Sequence, residues 1–287
     1  MIYVILSATG FATLAIFGKL AFNAGLTSSS VLAWRFLIAA ALLVPYIIAS
    51  GQWRLARRDV INAVGLGLIG YSIQAILFFS ALKHTSAAVT SLMLYTYPAF
   101  VAVISWLVFH EKMTRHRLVA LVVSLVGMVL TVPMESKNIA SELTGAAIAL
   151  CSGVWYACYL VFGARRVRGI KPAATSAYLS VGAAFAFFVS ASISGGLQVP
   201  ERFEVWGVLL AIGGLATVLP VATLFAALAR LGVVKTSILS TLEPVITAVF
   251  GYMFLAETMS GQQLLGGALV LLGAVTLHWF DRGAVVV

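Results

Sequence analysis

The sequence predicts an all-α polytopic membrane protein of ten transmembrane helices arranged as two inverted five-helix repeats, and three observations carry that expectation. Of 287 residues, 62% are hydrophobic and 9% charged, with a mean hydropathy of +1.06, whereas soluble domains carry roughly a quarter charged residues. Apolar stretches of about 20 residues, enough helix to cross about 30 Å of hydrocarbon, follow one another with short breaks. Residues 78–131 also match residues 224–277 without a gap at an offset of 146. Phe79, Leu82, Thr90, Ser91, Pro98, Glu111 and Gly127 recur as Phe225, Leu228, Thr236, Ser237, Pro244, Glu257 and Gly273.

The spans are expected at about 2–22, 30–50, 60–81, 86–109, 117–133, 144–164, 173–194, 205–229, 233–255 and 263–280. Lipid offers the backbone no hydrogen-bond partner, so only helices or a closed barrel can cross it, and continuous apolar runs without alternation exclude the barrel. Five spans make a first repeat over 1–133. A polar linker over 134–143 carries Glu135, Lys137, Asn138 and Glu142. Five more spans make a second repeat over 144–282, followed by a tail at 283–287. The N-terminus has no basic leader and runs straight into an ordinary span, so no cleaved signal is expected.

Net charge is +9, which in a soluble chain suggests nucleic acid. Here the basic residues sit in breaks between spans. Arg54, Arg57, Arg58, Lys112, Arg115, Arg117, Arg165, Arg166, Arg168, Lys171, Arg230, Lys235 and Arg282 fall on one side, and only Lys83, Lys137 and Arg202 on the other. The positive-inside rule then places both termini in the cytoplasm, in a bacterial or archaeal cell (inner) membrane. The bias reverses between the repeats: the break after the first span has no basic residue, whereas its counterpart after the sixth has four. Oppositely inserted repeats give a fold two related conformations, open to either side, which implies a secondary transporter working by alternating access.

Trp34-Arg35-Phe36 at the start of the second span, the Thr90-to-Glu111 block with Tyr97-Pro98 and His110-Glu111-Lys112, and Glu243-Pro244-Val245 through Ala256-Glu257-Thr258 resemble the EamA type of the drug/metabolite transporter superfamily. The likeness covers both repeats. It implies export of small metabolites and says little about which one. The chain departs from a symmetric pattern at one place: Tyr97 stands in the first repeat where Glu243 stands in the second.

Glu243 lies near the middle of the ninth span. An ionisable group at the bilayer centre costs about 3 kcal/mol on insertion scales, so it should face a wet cavity or a partner. It is the candidate for proton coupling or for meeting a substrate ammonium; the competing reading is a carboxylate that satisfies freed backbone. Pro98 and Pro244 should kink their helices and expose carbonyls, as hinges or as part of the site, and Pro220 after Gly213 and Gly214 should do likewise in the eighth span. Lys19 and Arg35 lie in the outer thirds of the first two spans; they either snorkel to the interface or bind a substrate carboxylate, Arg35 being the deeper. Tyr97, Trp155 and Tyr159, with Tyr71 and Gln74 behind them, suit a cavity that stacks on an organic molecule and hydrogen-bonds it. Tyr95 and Tyr156 belong to the same aromatic set. Glu111 and Glu257 end their spans and read as interfacial charges that fix helix ends.

Other chemistry is excluded by context. Gly65, Gly67 and Gly70 spell G-x-G-x-x-G inside a span with no preceding strand, so close helix packing replaces dinucleotide binding. The four histidines lack metal-ligand spacing. Cys151 and Cys158 are about 10 Å apart along one helix and cannot pair. No nucleophile motif or acid/base pair points to an enzyme. No cofactor, metal or nucleic acid is expected; the partners are a small-molecule substrate and the lipid bilayer, and a homodimer is left open. Amino acids or their derivatives are the leading substrate class, because one carboxylate, two basic groups and several aromatics suit a zwitterion. Efflux of cationic drugs or toxicants is the alternative.

Overall fold

A computed structural model describes residues 1–81, 83–85, 87–111, 113–131, 139–193, 195–255 and 261–280. All regular structure among them is helical, in the order α1 (Ile2–Asn23), α2 (Ser28–Ala49), α3 (Arg57–Gly65), a π-helical segment (Leu66–Tyr71), α4 (Ser72–Ala81), α5 (Ala87–Leu94), α6 (Tyr97–Phe109) and α7 (Arg115–Thr131). There follow α8 (Ile139–Arg166), α9 (Pro172–Ile193), α10 (Phe203–Gly213), a second π-helical segment (Gly214–Val218), α11 (Leu219–Leu231), α12 (Val233–Leu239), α13 (Leu242–Leu255) and α14 (Gly261–Phe280). Seven helical stretches of 22–29 described residues are long and apolar enough to cross a membrane, and Tyr97–Phe109 and Leu264–Leu277 are shorter apolar helices. Large apolar side chains face outward, among them Phe203, Ile193, Phe185 and Trp106; water would not tolerate so much exposed apolar surface, and lipid does. The chain is a multi-pass helical membrane protein.

The helices depart from the expected spans in instructive places. The fourth span is not one helix: it stops at Leu94 and restarts at Tyr97. The ninth is interrupted at the matching place, between Leu239 and Leu242. Pro98 and Pro244 therefore do not kink a running helix. Each sits in the first turn of a new one, where the missing N–H would have no intrahelical partner anyway and the fixed φ is pre-organised for helix. Near the breaks the hydroxyls of Thr96 and Thr241 donate to the carbonyls of Met93 and Ile238 (2.6 and 2.7 Å), taking up two of the loose acceptors. The eighth span does deform near Pro220, but as a π-helical segment rather than a break. Part of the expected linker is helix, because α8 begins at Ile139. Lys112, Lys137, Glu257, Arg282, the remaining linker and the tail lie outside the described residues.

The chain divides into two compact units, each assembled from stretches far apart in sequence: residues 1, 73–162 and 230–287 in the first, and residues 2–72 and 163–229 in the second. In the second unit, α2 packs along α9, with Phe36 stacked on Phe187 (centroids 5.7 Å). Leu43, Ile47, Ala174 and Ala177 form a small core there. A larger core of Ala21, Leu26, Val31, Ile38, Val205, Leu209 and Ile212 joins α1, α2 and α10, with Trp34 set edge-on to Trp206. The α3–π segment crosses α9 at two glycines: a Cβ on Gly67 would run into the Leu179 carbonyl, and one on Gly182 into the Val64 carbonyl. This bears out close packing as the account of that glycine motif, carried by Gly67; Gly65 faces open space. In the first unit α7 and α14 make a similarly close pair, where a Cβ on Gly127 would lie 2.6 Å from the Gly266 carbonyl oxygen. Small residues let helix backbones touch and gain dispersion energy where lipid leaves no hydrophobic drive between helices.

Candidate functional site

The site builds from the two helix breaks of the first unit. Where α5 gives way to α6, Tyr95 and Tyr97 leave the chain side by side, ring centroids 6.2 Å apart. Tyr97 packs edge-on against Tyr156 of α8 at 4.8 Å, and Tyr156 stacks on Tyr159 at 5.7 Å. Four tyrosines therefore form one continuous aromatic row, the Tyr97–Tyr156 and Tyr156–Tyr159 contacts in edge-on and stacked geometries that the ring quadrupole favours. Where α12 gives way to α13, Glu243 stands in the first turn of the new helix, an electropositive position for a carboxylate. Its side chain takes a hydrogen bond from Tyr95. The buried Tyr97 hydroxyl reaches the same break, bonding the Ser240 side chain and lying 3.5 Å from the Ser237 carbonyl oxygen. The residue sits at one of the few places in the span where backbone is not consumed by helix. Position and chemistry together make a half-buried carboxylate rimmed by phenols.

Gln74 extends this side of the unit. It is buried, its amide nitrogen lies 3.4 Å from Ser152 Oγ, and Ser152 Oγ donates to its backbone carbonyl at 2.9 Å, tying α4 to α8. Gly153 follows, and a Cβ there would lie 3.0 Å from the carbonyl oxygens of Met93 and Leu94. Leu94 is the residue whose carbonyl Pro98 leaves without its usual i+4 donor. α8 thus comes up against the loosened end of α5 because position 153 has no side chain. Trp155 is half-buried on the same helix. Glu243, Tyr97, Tyr159, Trp155 and Gln74 all belong to the first unit.

Arg35 and Tyr71 belong to the second unit, in a different kind of environment. Arg35 is 2% exposed. Its Nε donates to Thr217 Oγ1 at 2.7 Å and its Nη2 to the Ala216 carbonyl at 3.3 Å. Its guanidinium lies 5.0 Å from the Phe36 ring centroid and 5.6 Å from that of Tyr71. Ala216 is four residues before Pro220, so the proline strips that carbonyl of its helical donor and Arg35 supplies a replacement. Thr217 Oγ1 in turn donates to Ile212 O, five residues back, at 2.8 Å; Ser72 repeats the pattern on Gly67 O at 2.8 Å in the first π segment. Arg35 holds a deformed helix in shape. Lys19 is exposed in the last turns of α1. Glu111 follows the α6 terminus, where His110 takes a left-handed φ of 56° and its amide donates to Trp106 O at 3.0 Å, closing the helix end with an αL cap; the Glu111 amide donates to Ser105 O at 3.2 Å.

The sequence singles out Tyr97 and Tyr159 and leaves Tyr95 and Tyr156 as members of the same aromatic set, yet Tyr95 is the residue that meets Glu243. The available signal was the repeat: the offset of 146 aligns Tyr97 with Glu243, so neighbours of one break should face neighbours of the other. Ser237 and Ser240 carried no signal of their own. Both cysteines are free thiols, and no group of His, Cys, Asp or Glu that could hold a metal occurs among the described residues.

An apolar helical scaffold with interrupted spans, and a carboxylate at one interruption, suits a membrane transporter. Residues 1–132 and 143–279 match the EamA-like transporter family, and the chain belongs to it. An uncharacterized transporter of Bacillus subtilis (strain 168), YyaM, is 27% identical over 283 residues, covering 96% of this chain and 92% of that one. The threonine/homoserine exporter RhtA of Escherichia coli (strain K12) is 33% identical over 153 residues, 52% of this chain and 50% of the exporter. RhtA of Salmonella typhimurium (strain LT2) is 33% identical over 147 residues, 50% of this chain and 48% of that one. A solved crystal structure has the same fold, with a TM-score of 0.82 at 20% identity over 98% of this chain and 96% of that one.

Proposed function

We propose that this transporter exports small metabolites, amino acids or their derivatives in the first place, across the cell (inner) membrane by alternating access, coupled to protons or to exchange, with both termini in the cytoplasm. The observation that carries the reading is Glu243 at a helix break, hydrogen-bonded to Tyr95 and bordered by the tyrosine row. Its carboxylate meets a substrate ammonium or carries the coupling proton; Tyr97, Trp155, Tyr159 and Gln74 supply stacking surface and hydrogen bonds. Pro98 and Pro244 serve as hinge elements by starting the helices beyond the breaks. The threonine/homoserine exporters that match half of the chain support an amino-acid substrate.

Ten spans in two inverted repeats, over 1–133 and 144–282, remain part of this reading. Several features recur near the offset of 146 and support it. The breaks fall at 95–96 and 240–241, and the π-helical segments at 66–71 and 214–218. Loop carbonyls are pinned by aromatic donors on both sides of the repeat, Tyr178 Oη to Trp53 O at 2.7 Å and Trp34 Nε1 to Gln198 O at 2.8 Å.

The test is efflux from liposomes holding purified protein and a mixture of amino acids and common metabolites, followed by mass spectrometry with and without a pH gradient. Selective, gradient-sensitive loss of an amino acid that Glu243→Gln abolishes is the expected result. Selective loss unaffected by that substitution would remove Glu243 from the mechanism. A second reading, efflux of cationic drugs, is favoured by the same carboxylate-and-phenol composition, which suits a cation with no carboxylate of its own. It predicts toxicant resistance on expression and no response to amino acids.

A further inference from the structure

Two stretches that are far apart in sequence meet at one end of the second unit. Trp53 O accepts the Tyr178 hydroxyl at 2.7 Å, Asn62 Nδ2 lies 3.4 Å from Arg166 O, and Leu55 and Ile170 pack against one small core. Between them these stretches carry Arg54, Arg57, Arg58, Arg165, Arg166, Arg168 and Lys171, all exposed, and Asp59 is the only acidic residue in either. At the other end of the same unit the charges balance: Lys19 and Arg202 stand with Glu201 and Glu204, and Arg202 pairs with Glu204 at 3.3 Å. The unit is electrically lopsided in its folded form.

The basic end lies where α2 and α9, both membrane-crossing by length and composition, emerge from hydrocarbon. That is the depth of lipid headgroups. Trp53 is exposed there, with the Arg54 guanidinium 5.5 Å from its ring centroid, an arrangement that seats an amphipathic ring at the interface and leaves the cation pointing to phosphate. Side chains of this kind form charge-assisted bonds to phosphate oxygens, and arginine does so through two parallel donors. We infer that this end of the second unit is a docking surface for anionic phospholipid headgroups, retaining lipids such as phosphatidylglycerol in preference to zwitterionic ones. The positive-inside rule accounts for the sign of this end; the convergence of two segments into one dense cluster, with interfacial Trp53 beside it, accounts for a preference among lipids. The inference requires only that the helices span a membrane, and holds whatever the transported substrate.

The experiment is native mass spectrometry of the full-length protein released from mixed phosphatidylglycerol/phosphatidylcholine micelles, alongside its thermal stability in each lipid. A surface cation contributes roughly a fivefold preference for anionic lipid, so Arg57→Gln/Arg58→Gln/Arg165→Gln/Arg168→Gln should lower phosphatidylglycerol retention at least tenfold. Lys19→Gln/Arg202→Gln at the balanced end should leave it unchanged. On the wild-type protein, 0.5 M NaCl should erode the preference by screening, a readout that stands even if the fourfold variant folds poorly. Equal retention of the two lipids by wild-type protein, full preference in a folded fourfold variant, or displacement of the lipid by millimolar inorganic phosphate would each overturn the inference. The last result would mark a site for a free anion.

Discussion

Replacing Arg35 by glutamine tests what a buried cation does inside this membrane protein. The substitution removes two hydrogen bonds, at 2.7 Å to Thr217 Oγ1 and 3.3 Å to Ala216 O, and contacts to two rings at 5.0 and 5.6 Å. Hydrogen bonds to charged groups contribute about 1.5–3 kcal/mol each, the longer one at the low end, and each cation–π contact adds about 0.5–1 kcal/mol. Relief of the insertion cost of an intramembrane charge, at most about 3 kcal/mol, offsets part of this. The net expectation is a loss of about 2–3 kcal/mol, seen as an apparent unfolding midpoint lower by about 5–10 °C in detergent. Pro220→Ala supplies the missing N–H to Ala216 O. It should be near neutral alone and recover about 1 kcal/mol in the Arg35→Gln background, because it satisfies the orphaned carbonyl. Intrinsic tryptophan fluorescence during heating gives the midpoints, and liposome efflux per folded molecule gives activity. A variant as stable as wild type but dead in transport, with no recovery from Pro220→Ala, would refute the clamp and return Arg35 to the role of substrate ligand.

Three further outcomes follow from the same geometry. Glu243→Gln keeps an oxygen for the Tyr95 hydroxyl and should fold normally while losing any pH-gradient-driven component of efflux; gradient-driven efflux at the wild-type rate would exclude proton coupling through this group. Tyr97→Phe keeps the ring contact with Tyr156 but not the hydroxyl contacts at the second break, so stability should fall by about 1 kcal/mol or less while half-saturation for efflux rises severalfold. Gly67→Ala drives a methyl group into the Leu179 carbonyl; it should cost about 2–3 kcal/mol and cut the yield of monodisperse protein in size-exclusion chromatography, whereas Gly65→Ala, facing open space, should be tolerated.

How much of this was readable beforehand depended on the range over which the physics acts. Span positions follow from local composition against a fixed bilayer thickness, and α2 and α9 fall within two residues of the expected bounds. The interruptions were half-legible. Proline announces trouble in a span, but whether the helix bends through it or ends before it depends on what receives the stranded carbonyls. At 95–96 and 240–241 local threonines help receive them; near Pro220 a guanidinium from 181 residues away does. No reading of a single span finds that partner. The π-helical segments were invisible: in or beside them Ser72 and Thr217 donate their hydroxyls to carbonyls five residues back, yet in sequence they look like ordinary small polar residues. In the site, Glu243 stood out as a charge where charge is expensive, whereas Tyr95 gained its role only from packing across 148 positions.

The composition of the two compact units has a consequence for biogenesis. Residues 2–72 find their packing partners in 163–229, and residues 73–162 find theirs in 230–287. Neither unit closes until the ribosome has delivered the second half of the chain. The first four or five helices must therefore wait in the bilayer with unmatched faces, Gly67 without Gly182 and Gly127 without Gly266, during the seconds that synthesis of the remainder takes. A nascent chain in that condition is a natural client for insertion chaperones and membrane proteases. The same logic says that the chain cut at 134–143 and expressed as two fragments should accumulate only when both are made together.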